Sequence, residues 1–256
     1  MKTVTSKDNP VLKAARKLRT RKGREDAGAF LVPGQKLIRE ALGAGYVVER
    51  VFINAGALER GEACPGEYPC EIALEEKLFI ELAGTVTPQP YIAVVKRHGD
   101  EPSPCRRALV LDRVGDPGNA GAMVRTALAA GMDQVWCVKG TADLFSDKAI
   151  RSSAGAVFHL PLREGLEAEE CIDLAAESGA KLFVLSSGGK DLYDMEFFGA
   201  FALVIGNEGA GPQDKFLAAA DTVVGIPMAP KAESLNAAAA AAVVMYEARR
   251  QGGKDI

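Results

Sequence analysis

The chain has 256 residues, 48% hydrophobic and 25% charged, which is enough to bury one large or two modest cores. Its net charge of −3 argues against binding nucleic acid through overall charge. The charge is uneven, because residues 1–24 hold nine Lys or Arg and one acid, a net +8 that leaves −11 for the rest. This basic arm predicts a polyanionic partner, although a solvated helix face would explain the charge alone equally well.

The five cysteines form no CxxC pair, and only His98 and His159 could assist them, so no zinc site is predicted. We expect reduced thiols in a cytoplasmic protein. The N-terminus has no apolar signal core. The longest apolar run, Ala237–Tyr246, is too short to cross a bilayer.

The first part of the chain alternates helices and strands after the basic arm. Asn9 and Pro10 are typical of a helix start, as N-cap and first helical residue. The predicted elements that follow are strand Ala29–Val32, helix Gln35–Leu42, strand Tyr46–Ile53, loop Gly61–Pro69, helix Leu74–Ala83 and strand Tyr91–Val95. These predict a small α/β domain over residues 1–97, followed by a polar, proline-containing linker over residues 98–105.

Residues 106–256 alternate in the same way. The predicted strands are Ala108–Leu111, Gln134–Val138, Lys181–Leu185, Phe201–Ile205 and Thr222–Ile226. The predicted helices are Asn119–Ala130, Asp147–Ser153, 167–178 and Ser234–Arg250. Continuous apolar strands separated by helices indicate a parallel sheet covered on both faces, and such sheets bind ligands at the carboxyl ends of their strands.

One candidate site segment, Asp112–Ala127, is a strand end, a glycine-rich loop and a helix start, with Asn119 predicted as the N-cap. Arg125 lies about two turns into that helix among small residues, so it can project into a cleft or simply be a surface arginine. The glycine spacing differs from the dinucleotide fingerprint, and no acidic residue closes a second strand as that fingerprint requires.

A second glycine-rich segment, Gly206–Pro212, follows a strand of apolar residues. Its glycines allow close approach of a ligand to the backbone. It lacks the Lys-Ser/Thr ending of a phosphate-binding loop, which argues against a nucleoside triphosphatase. Glu208 has no evident structural duty here, although a solvated turn glutamate is an equal alternative.

The third segment, Ile226–Asn236, joins the last strand to an alanine-rich helix. Ser234 is predicted as the cap of that helix, and the alanines favour both helix formation and tight packing.

Together these segments resemble the SpoU (TrmH) family of RNA 2′-O-ribose methyltransferases, within the SPOUT superfamily. The resemblance rests on three ordered motifs, Asp116–Ala127 (DPGNAGAMVRTA), Ile205–Pro212 (IGNEGAGP), and Ile226–Met228 (IPM) with Ser234–Asn236 (SLN). Residues 146–161 also follow a family segment. Residues 5–42 are similar to a ribosomal-protein-like RNA-binding domain that often precedes the catalytic domain.

The resemblance implies a parallel-sheet domain with a deep trefoil knot, S-adenosylmethionine as methyl donor, and a homodimer with its site at or near the interface. It places the donor beside Gly206, Asn207, Ile226, Met228 and Leu235. It places the target ribose near Arg125, with Asn119, Glu208, Ser234 and Asn236 around it. An arginine is a poor base, so we expect Arg125 to clamp a phosphate while the proton leaves through that phosphate or Glu208.

The sequence therefore predicts an enzyme that methylates a ribose 2′-hydroxyl in structured RNA, ribosomal RNA being favoured over transfer RNA, with no metal, DNA or membrane partner. Phosphate contacts are expected from the basic arm, by Lys13, Arg16, Lys17, Arg19, Arg21 and Lys22.

Two rival hypotheses are an RNA-binding module without catalysis and a small-molecule enzyme on a doubly wound sheet. The presence of all the candidate catalytic residues argues against a module without catalysis. The basic arm argues against a small-molecule enzyme. Pro230, where the family more often has glycine, and Pro33, which precedes Gly34 where a glutamate is common, depart from the family pattern.

Overall fold

The computed structural model describes residues 3–68, 70–98 and 105–252. In chain order the elements are β1 (Thr3–Val4), α1 (Pro10–Lys17), α2 (Arg21–Ala27), β2 (Ala29–Pro33), α3 (Gln35–Gly43), β3 (Val48–Asn54), α4 (Ala55–Glu59), β4 (Glu71–Leu74), α5 (Glu76–Ala83) and β5 (Tyr91–Lys96). They continue with β6 (Arg107–Leu111), α6 (Pro117–Ala130), β7 (Gln134–Val138), α7 (Asp147–Ser153), β8 (Leu162–Leu166), α8 (Ala168–Glu177), β9 (Lys181–Asp191), β10 (Phe201–Ile205), α9 (Asp214–Ala219), β11 (Thr222–Gly225) and α10 (Ala237–Gln251).

The chain divides into two compact units. The first unit contains residues 1–99 and 145–158, and the second contains residues 100–144 and 159–256. The segment with α7 therefore belongs to the first unit, a grouping that no sequence pattern indicated. Most of the predicted linker, residues 99–104, lies outside the described residues.

The first unit is built on a mixed sheet of order β1-β4-β3-β5-β2. Strand β5 runs antiparallel to β2 and β3, and β4 runs parallel to β1 and β3. Its core packs α1 and α5 on one face of the sheet through Leu12, Leu78 and Phe79, all at most 2% exposed. Ring contacts between Phe30, Phe145 and Phe158 join the α7 segment to this sheet.

The second unit is built on a parallel sheet of order β11-β9-β10-β6-β7-β8. All its strand pairs run parallel, so the predicted α/β fold with a parallel-sheet domain and a smaller α/β domain before it is confirmed. The chain leaves β6 toward β7, whereas β10 lies on the other side of β6. A crevice is expected at such a reversal of strand order, at the carboxyl ends of the strands.

Two predicted helix caps are wrong. Helix α6 begins at Pro117, and Asp116 is its N-cap, accepting a 2.9 Å hydrogen bond from the Asn119 amide. Proline suits the first helical position because it has no N–H to leave unbonded, so the helix starts two residues before the predicted Asn119. Helix α10 is capped by Asn236, whose Oδ1 accepts from the amides of Ala238 and Ala239, and Ser234 remains in the loop before it.

Other boundaries differ less. The N-cap role of Asn9 is confirmed, since its Oδ1 accepts hydrogen bonds from Val11 and Leu12. Leu74 ends β4 rather than starting a helix, and β9 continues six residues beyond the predicted Leu185. The elements β1, α2, α4, β4, β8 and α9 were not predicted, because each is short and shows no clear apolar periodicity.

Candidate active site

The glycine-rich loop after β10 is fixed to the end of β6 by one buried carboxylate. Asp112 is fully buried and accepts hydrogen bonds of 2.6 Å from both the backbone N and the side-chain Nε2 of Gln213. Arg113 Nε lies 3.1 Å from the same carboxylate, whose charge is thereby paired. The loop between Ile205 and Gln213 is therefore held against β6 at both of its ends.

Asn207 shapes that loop from within. Its Nδ2 donates to the Arg113 carbonyl at 2.9 Å, and its Oδ1 accepts from the amides of Gly209 and Ala210 at 3.0 and 2.9 Å. The loop folds back so far that a Cβ on Gly206 would lie 2.1 Å from the backbone N of Pro212. Only glycine fits at Gly206, and Asn207 acts through its side chain as an organiser of the loop.

Glu208, which had no evident duty in the sequence, is the acceptor that joins this loop to the start of α6. Its Oε2 accepts from the Gly115 amide at 3.0 Å, and its Oε1 accepts from the Asp116 amide at 3.2 Å and from Asn119 Nδ2 at 2.9 Å. Partial burial favours the neutral acid, but these donors outweigh it and hold the pKa of Glu208 below its usual range. The carboxylate is therefore ionised and directed at donors of the protein itself.

The same network reaches the third motif. Asn236 Nδ2 donates to Asn119 Oδ1 at 3.1 Å, and Asn119 in turn donates to Glu208. Three of the predicted catalytic residues, one from each motif, are thus joined by hydrogen bonds. An asparagine side chain accepts hydrogen bonds at Oδ1 and donates them from Nδ2. Asn119 does both, so its two bonds fix the orientation of its amide group.

A cavity of about 870 Å³ lies beside this network, at the carboxyl ends of β10 and β11 and along the second half of β9. All five residues predicted to surround the donor line it: Gly206, Asn207, Ile226, Met228 and Leu235. The predicted catalytic residues Glu208, Ser234 and Asn236 line it too. Met228 and Leu235 are 36% and 41% exposed, large apolar side chains available to a ligand.

One wall of the cavity was not predicted, and it is formed by Ser186, Ser187 and Gly188 in the second half of β9. The rule that ligands bind at carboxyl strand ends could have found it, because the predicted strand stopped at Leu185, just before these residues. Gly189 follows, and a Cβ there would lie 2.5 Å from the backbone of Val224. The wall therefore depends on close contact between β9 and β11.

Arg125 is not a lining residue of this cavity. It follows Asn119 by six residues on α6, a rise of about 9 Å and a rotation of about 240°, so the two side chains leave different faces of the helix. Arg125 is exposed, and its side chain forms no hydrogen bond or ion pair with any residue that the structure describes. The exposed Leu128 stands three residues further along α6.

The predicted RNA-binding residues lie on α1 and α2 of the first unit, except Arg19, which lies between these helices, and several are partnered within the unit. Arg16 pairs with Glu81 at 2.7 Å, Arg19 donates to the Glu81 carbonyl at 2.6 Å, and Lys13 pairs with Asp8 at 2.7 Å. Arg21 pairs with Glu25 four residues later. The side chains of Lys17 and Lys22 are exposed and form no ion pair or hydrogen bond with the residues of the described ranges.

Over the ranges that the structure describes, no group of three or more His, Cys, Asp or Glu is arranged to hold a metal ion. No described helix combines the length and the apolar character needed to cross a membrane. The five cysteines are free thiols, with Cys137 and Cys171 buried.

Comparison with known proteins identifies the family. The model of the SpoU rRNA Methylase family matches residues 106–246, and that of the MRM3-like substrate binding domain matches residues 9–93. The chain belongs to the SpoU rRNA methylase family.

Relatives match over nearly the full length. The chain is 35% identical to the 23S rRNA (guanosine(2553)-2′-O)-methyltransferase RlmP of Bacillus subtilis, covering 97% of this chain and 100% of that protein. An AdoMet-bound rRNA methyltransferase from Sinorhizobium meliloti superposes with a TM-score of 0.85 at 29% identity, covering 97% of each chain. The SpoU methyltransferase AviRb from Streptomyces viridochromogenes, also with AdoMet, has a TM-score of 0.84 at 30% identity, covering 96% of this chain and 99% of that one.

Proposed function

We propose that the protein transfers a methyl group from S-adenosylmethionine to a ribose 2′-hydroxyl of ribosomal RNA. The observation that carries this proposal is the cavity formed by β9 and the ends of β10 and β11, bordered by the network of Asn236, Asn119 and Glu208. In a member of the SpoU rRNA methylase family, this arrangement combines a ligand-sized cavity with a polar edge at which a second substrate can react.

The cavity fits S-adenosylmethionine. Its volume of about 870 Å³ lies in the range for ligands of that size, roughly 300–1,000 Å³. Ile226, Met228 and Leu235 offer apolar surface for an adenine ring, and the backbone at Gly206 and Gly209 offers polar groups without side chains in the way. The donor supplies an already activated sulfonium methyl group, so the protein's task is mainly alignment and handling of the ribose proton.

Glu208 is better suited to positioning than to proton removal. Both of its oxygens already accept hydrogen bonds from the protein, and its lowered pKa makes it a weaker base. Ser234, exposed in the loop before α10, lines the cavity and carries a hydroxyl that can contact the ribose. We assign Asn119 and Asn236 to fixing this edge of the site.

Arg125 is proposed to bind the RNA phosphate next to the reacting ribose. Its guanidinium is exposed and free of partners among the described residues, as a phosphate clamp requires. Because it leaves a different face of α6 from Asn119, we infer a homodimer in which Arg125 serves the cavity of the other copy. The exposed Leu128 and Tyr246, on helices α6 and α10 that pack together, support an interface on these helices.

The trefoil knot implied by the family resemblance and the cytoplasmic location inferred from the unpaired cysteines both belong to the proposal. The tight approaches at Gly206 and Gly189 and the alanines of α10 suit a chain that passes close to other backbone. The first unit, with Lys17 and Lys22 exposed, is proposed to hold the RNA.

The test is methyl transfer from radiolabelled S-adenosylmethionine to purified ribosomal and transfer RNA, followed by nucleoside analysis. The expected product is a 2′-O-methylated nucleoside from ribosomal RNA alone. Label in a base, or in transfer RNA in preference to ribosomal RNA, would contradict the proposal. Tight binding of RNA without any label would favour an RNA-binding module without catalysis.

A further inference from the structure

A groove made of two adjacent cavities lies beside α7 in the first unit. It consists of a crevice of about 240 Å³ and an adjoining depression of about 530 Å³, which share Pro33, Ala83 and Ile92 in their walls. We call it the α7 groove, because α7 supplies Asp147 to the crevice and Arg151 to the depression. It is separate from the cavity described above, which no residue of the first unit lines.

The α7 groove is strongly basic in a chain whose net charge is −3. Five cationic side chains line it, against one carboxylate. The cations are Arg19, Arg24, Lys36, Lys148 and Arg151, and the carboxylate is Asp147. A groove with such an excess of positive charge favours a polyanion.

The crevice combines guanidinium groups with apolar walls. Leu18, Leu82 and Ile92 are 4%, 1% and 2% exposed, and they form a closely packed apolar surface. Arg24 is only 6% exposed and is held by a 2.8 Å hydrogen bond to the Leu18 carbonyl, while Arg19 is held by the Glu81 carbonyl. The crevice is smaller than the roughly 300 Å³ at which sites for drug-sized ligands begin, so it suits one ring system.

The depression is lined by positive charges and hydroxyl groups that can contact a nucleotide backbone. The Lys36 side chain is exposed and forms no ion pair or hydrogen bond with the residues described. Arg151 is oriented by a 2.6 Å ion pair with Asp147, and the side chains of Thr85 and Thr87 line the same wall. A lysine and hydroxyl groups beside an oriented arginine are donors of the kind that contact phosphate oxygens.

We propose that the α7 groove binds a single-stranded segment of the RNA substrate, with one unstacked base in the crevice and the adjoining phosphates over Lys36 and Arg151. Bases of single strands are recognised by stacking on arginine planes and apolar side chains, whereas a paired base cannot enter a crevice of this size. The occupant is taken to be RNA because the proposed function supplies that substrate, and this inference rests on it.

The test compares the binding of a fluorescent single-stranded RNA octamer and of an RNA duplex of equal length. Lys36→Glu should weaken octamer binding by at least tenfold and lower the slope of log K against log salt. The matched control is Lys77→Glu, the same charge change on α5 of this unit at another exposed lysine with no partner among the described residues. Equal loss in both variants would overturn the proposal, since only overall charge would then matter.

A second pair of variants examines the crevice without changing charge. Ala83→Phe should fill it and weaken octamer binding severalfold, whereas Ala83→Ser should leave binding unchanged, with both folds checked by thermal unfolding. Octamer binding by Ala83→Phe at the wild-type level, or tighter binding of the duplex, would overturn the proposal. Methyl transfer by the wild type is measured in parallel, so its absence together with Lys36-dependent binding would count against the proposed function and not against the groove.

Discussion

Asn236 Nδ2 donates a 3.1 Å hydrogen bond to Asn119 Oδ1, joining residues 117 positions apart in the sequence. Asn236 also caps α10 through its Oδ1, so one side chain both starts that helix and locates α6. Because Asn119 Nδ2 in turn donates to Glu208, hydrogen bonds join the three motifs at the edge of the cavity.

Removing the central amide should therefore affect catalysis more than donor binding. For Asn119→Ala we expect methyl transfer to fall by up to about 100-fold, the loss that a misplacement of the reacting groups by about 1 Å can cause. The affinity for S-adenosylhomocysteine, measured by calorimetry, should change less than threefold.

The control for that variant is Thr126→Ala on the same helix, whose hydroxyl bonds only the Ala122 carbonyl among the described residues. It should retain wild-type turnover. A similar loss in both variants would indicate damage to α6 rather than to the network.

Glu208 gives a stability signature that depends on pH. Its folded-state pKa is lowered, so ionised Glu208 stabilises the fold above its unfolded pKa of about 4.3, and that contribution is lost as pH falls through the folded pKa. Glu208→Gln should therefore lower the melting temperature at pH 7, and the difference from wild type should shrink below about pH 4. A difference that stayed constant between pH 7 and pH 3 would contradict an ionised, hydrogen-bonded Glu208.

Two glycines of one loop provide a matched test of close packing. A Cβ on Gly206 would lie 2.1 Å from the backbone N of Pro212, whereas one on Gly209 would lie 3.7 Å from Asn207 Oδ1, an ordinary contact. Gly206→Ala should weaken S-adenosylhomocysteine binding at least tenfold, because the loop that lines the cavity must open. Gly209→Ala should bind within about twofold of wild type, and an equal effect in both variants would show that the fold-back is not what shapes the site.

The parallel sheet was predictable because its central strands are apolar runs long enough to be recognised without their neighbours. Helix starts were less predictable. At Asn9 and Pro10, the capping residue and the proline both predict that α1 begins at Pro10, where the structure has it. At Asp116–Asn119 and Ser234–Asn236 two capping residues compete, and hydrogen bonds to distant loops decide between them. The placement of α7 with the first unit rests on ring contacts of Phe145 and Phe158, which sequence spacing does not encode.

The candidate site was predictable as a set of residues but not as a set of roles. Resemblance to the family selected Asn207 and Glu208, yet neither spacing nor composition indicated that Asn207 bonds its own loop and the Arg113 carbonyl. Likewise, the structural role of Glu208 depends on its hydrogen bonds with the backbone amides of Asp116 and Gly115, which lie 92 and 93 positions earlier. Such long-range pairings follow from the sheet order, which a single sequence does not reveal.

Arg125 should be required for turnover but not for donor binding. Arg125→Lys keeps the charge and loses the bidentate geometry, so we expect turnover to fall about 10- to 100-fold with unchanged S-adenosylhomocysteine affinity. Near-full turnover with unchanged RNA affinity would rule out the phosphate clamp.

Mixing two variants tests whether Arg125 serves the other copy. Arg125→Ala and Asn119→Ala should each be weakly active, and in a mixed dimer one site would combine the intact Asn119 of one copy with the intact Arg125 of the other. Random exchange should restore activity to about a quarter of wild type. No recovery, with exchange verified by differently tagged copies, would place both residues in the same copy's site.

The basic arm should separate into two functional groups of cations. Lys17 and Lys22 have no partner among the described residues, so Lys17→Ala with Lys22→Ala should weaken binding to all RNAs alike and lower the salt slope by about 0.7 to 0.9 per lost phosphate contact. The melting temperature of the double lysine variant should stay at the wild-type value.

Arg16→Ala should instead lower the free energy of unfolding by up to about 1 kcal/mol, because Glu81 loses its 2.7 Å partner at a half-buried position. If Arg16→Ala changed the salt slope as much as the lysine pair and left the stability unchanged, the division between free and structural cations would be wrong.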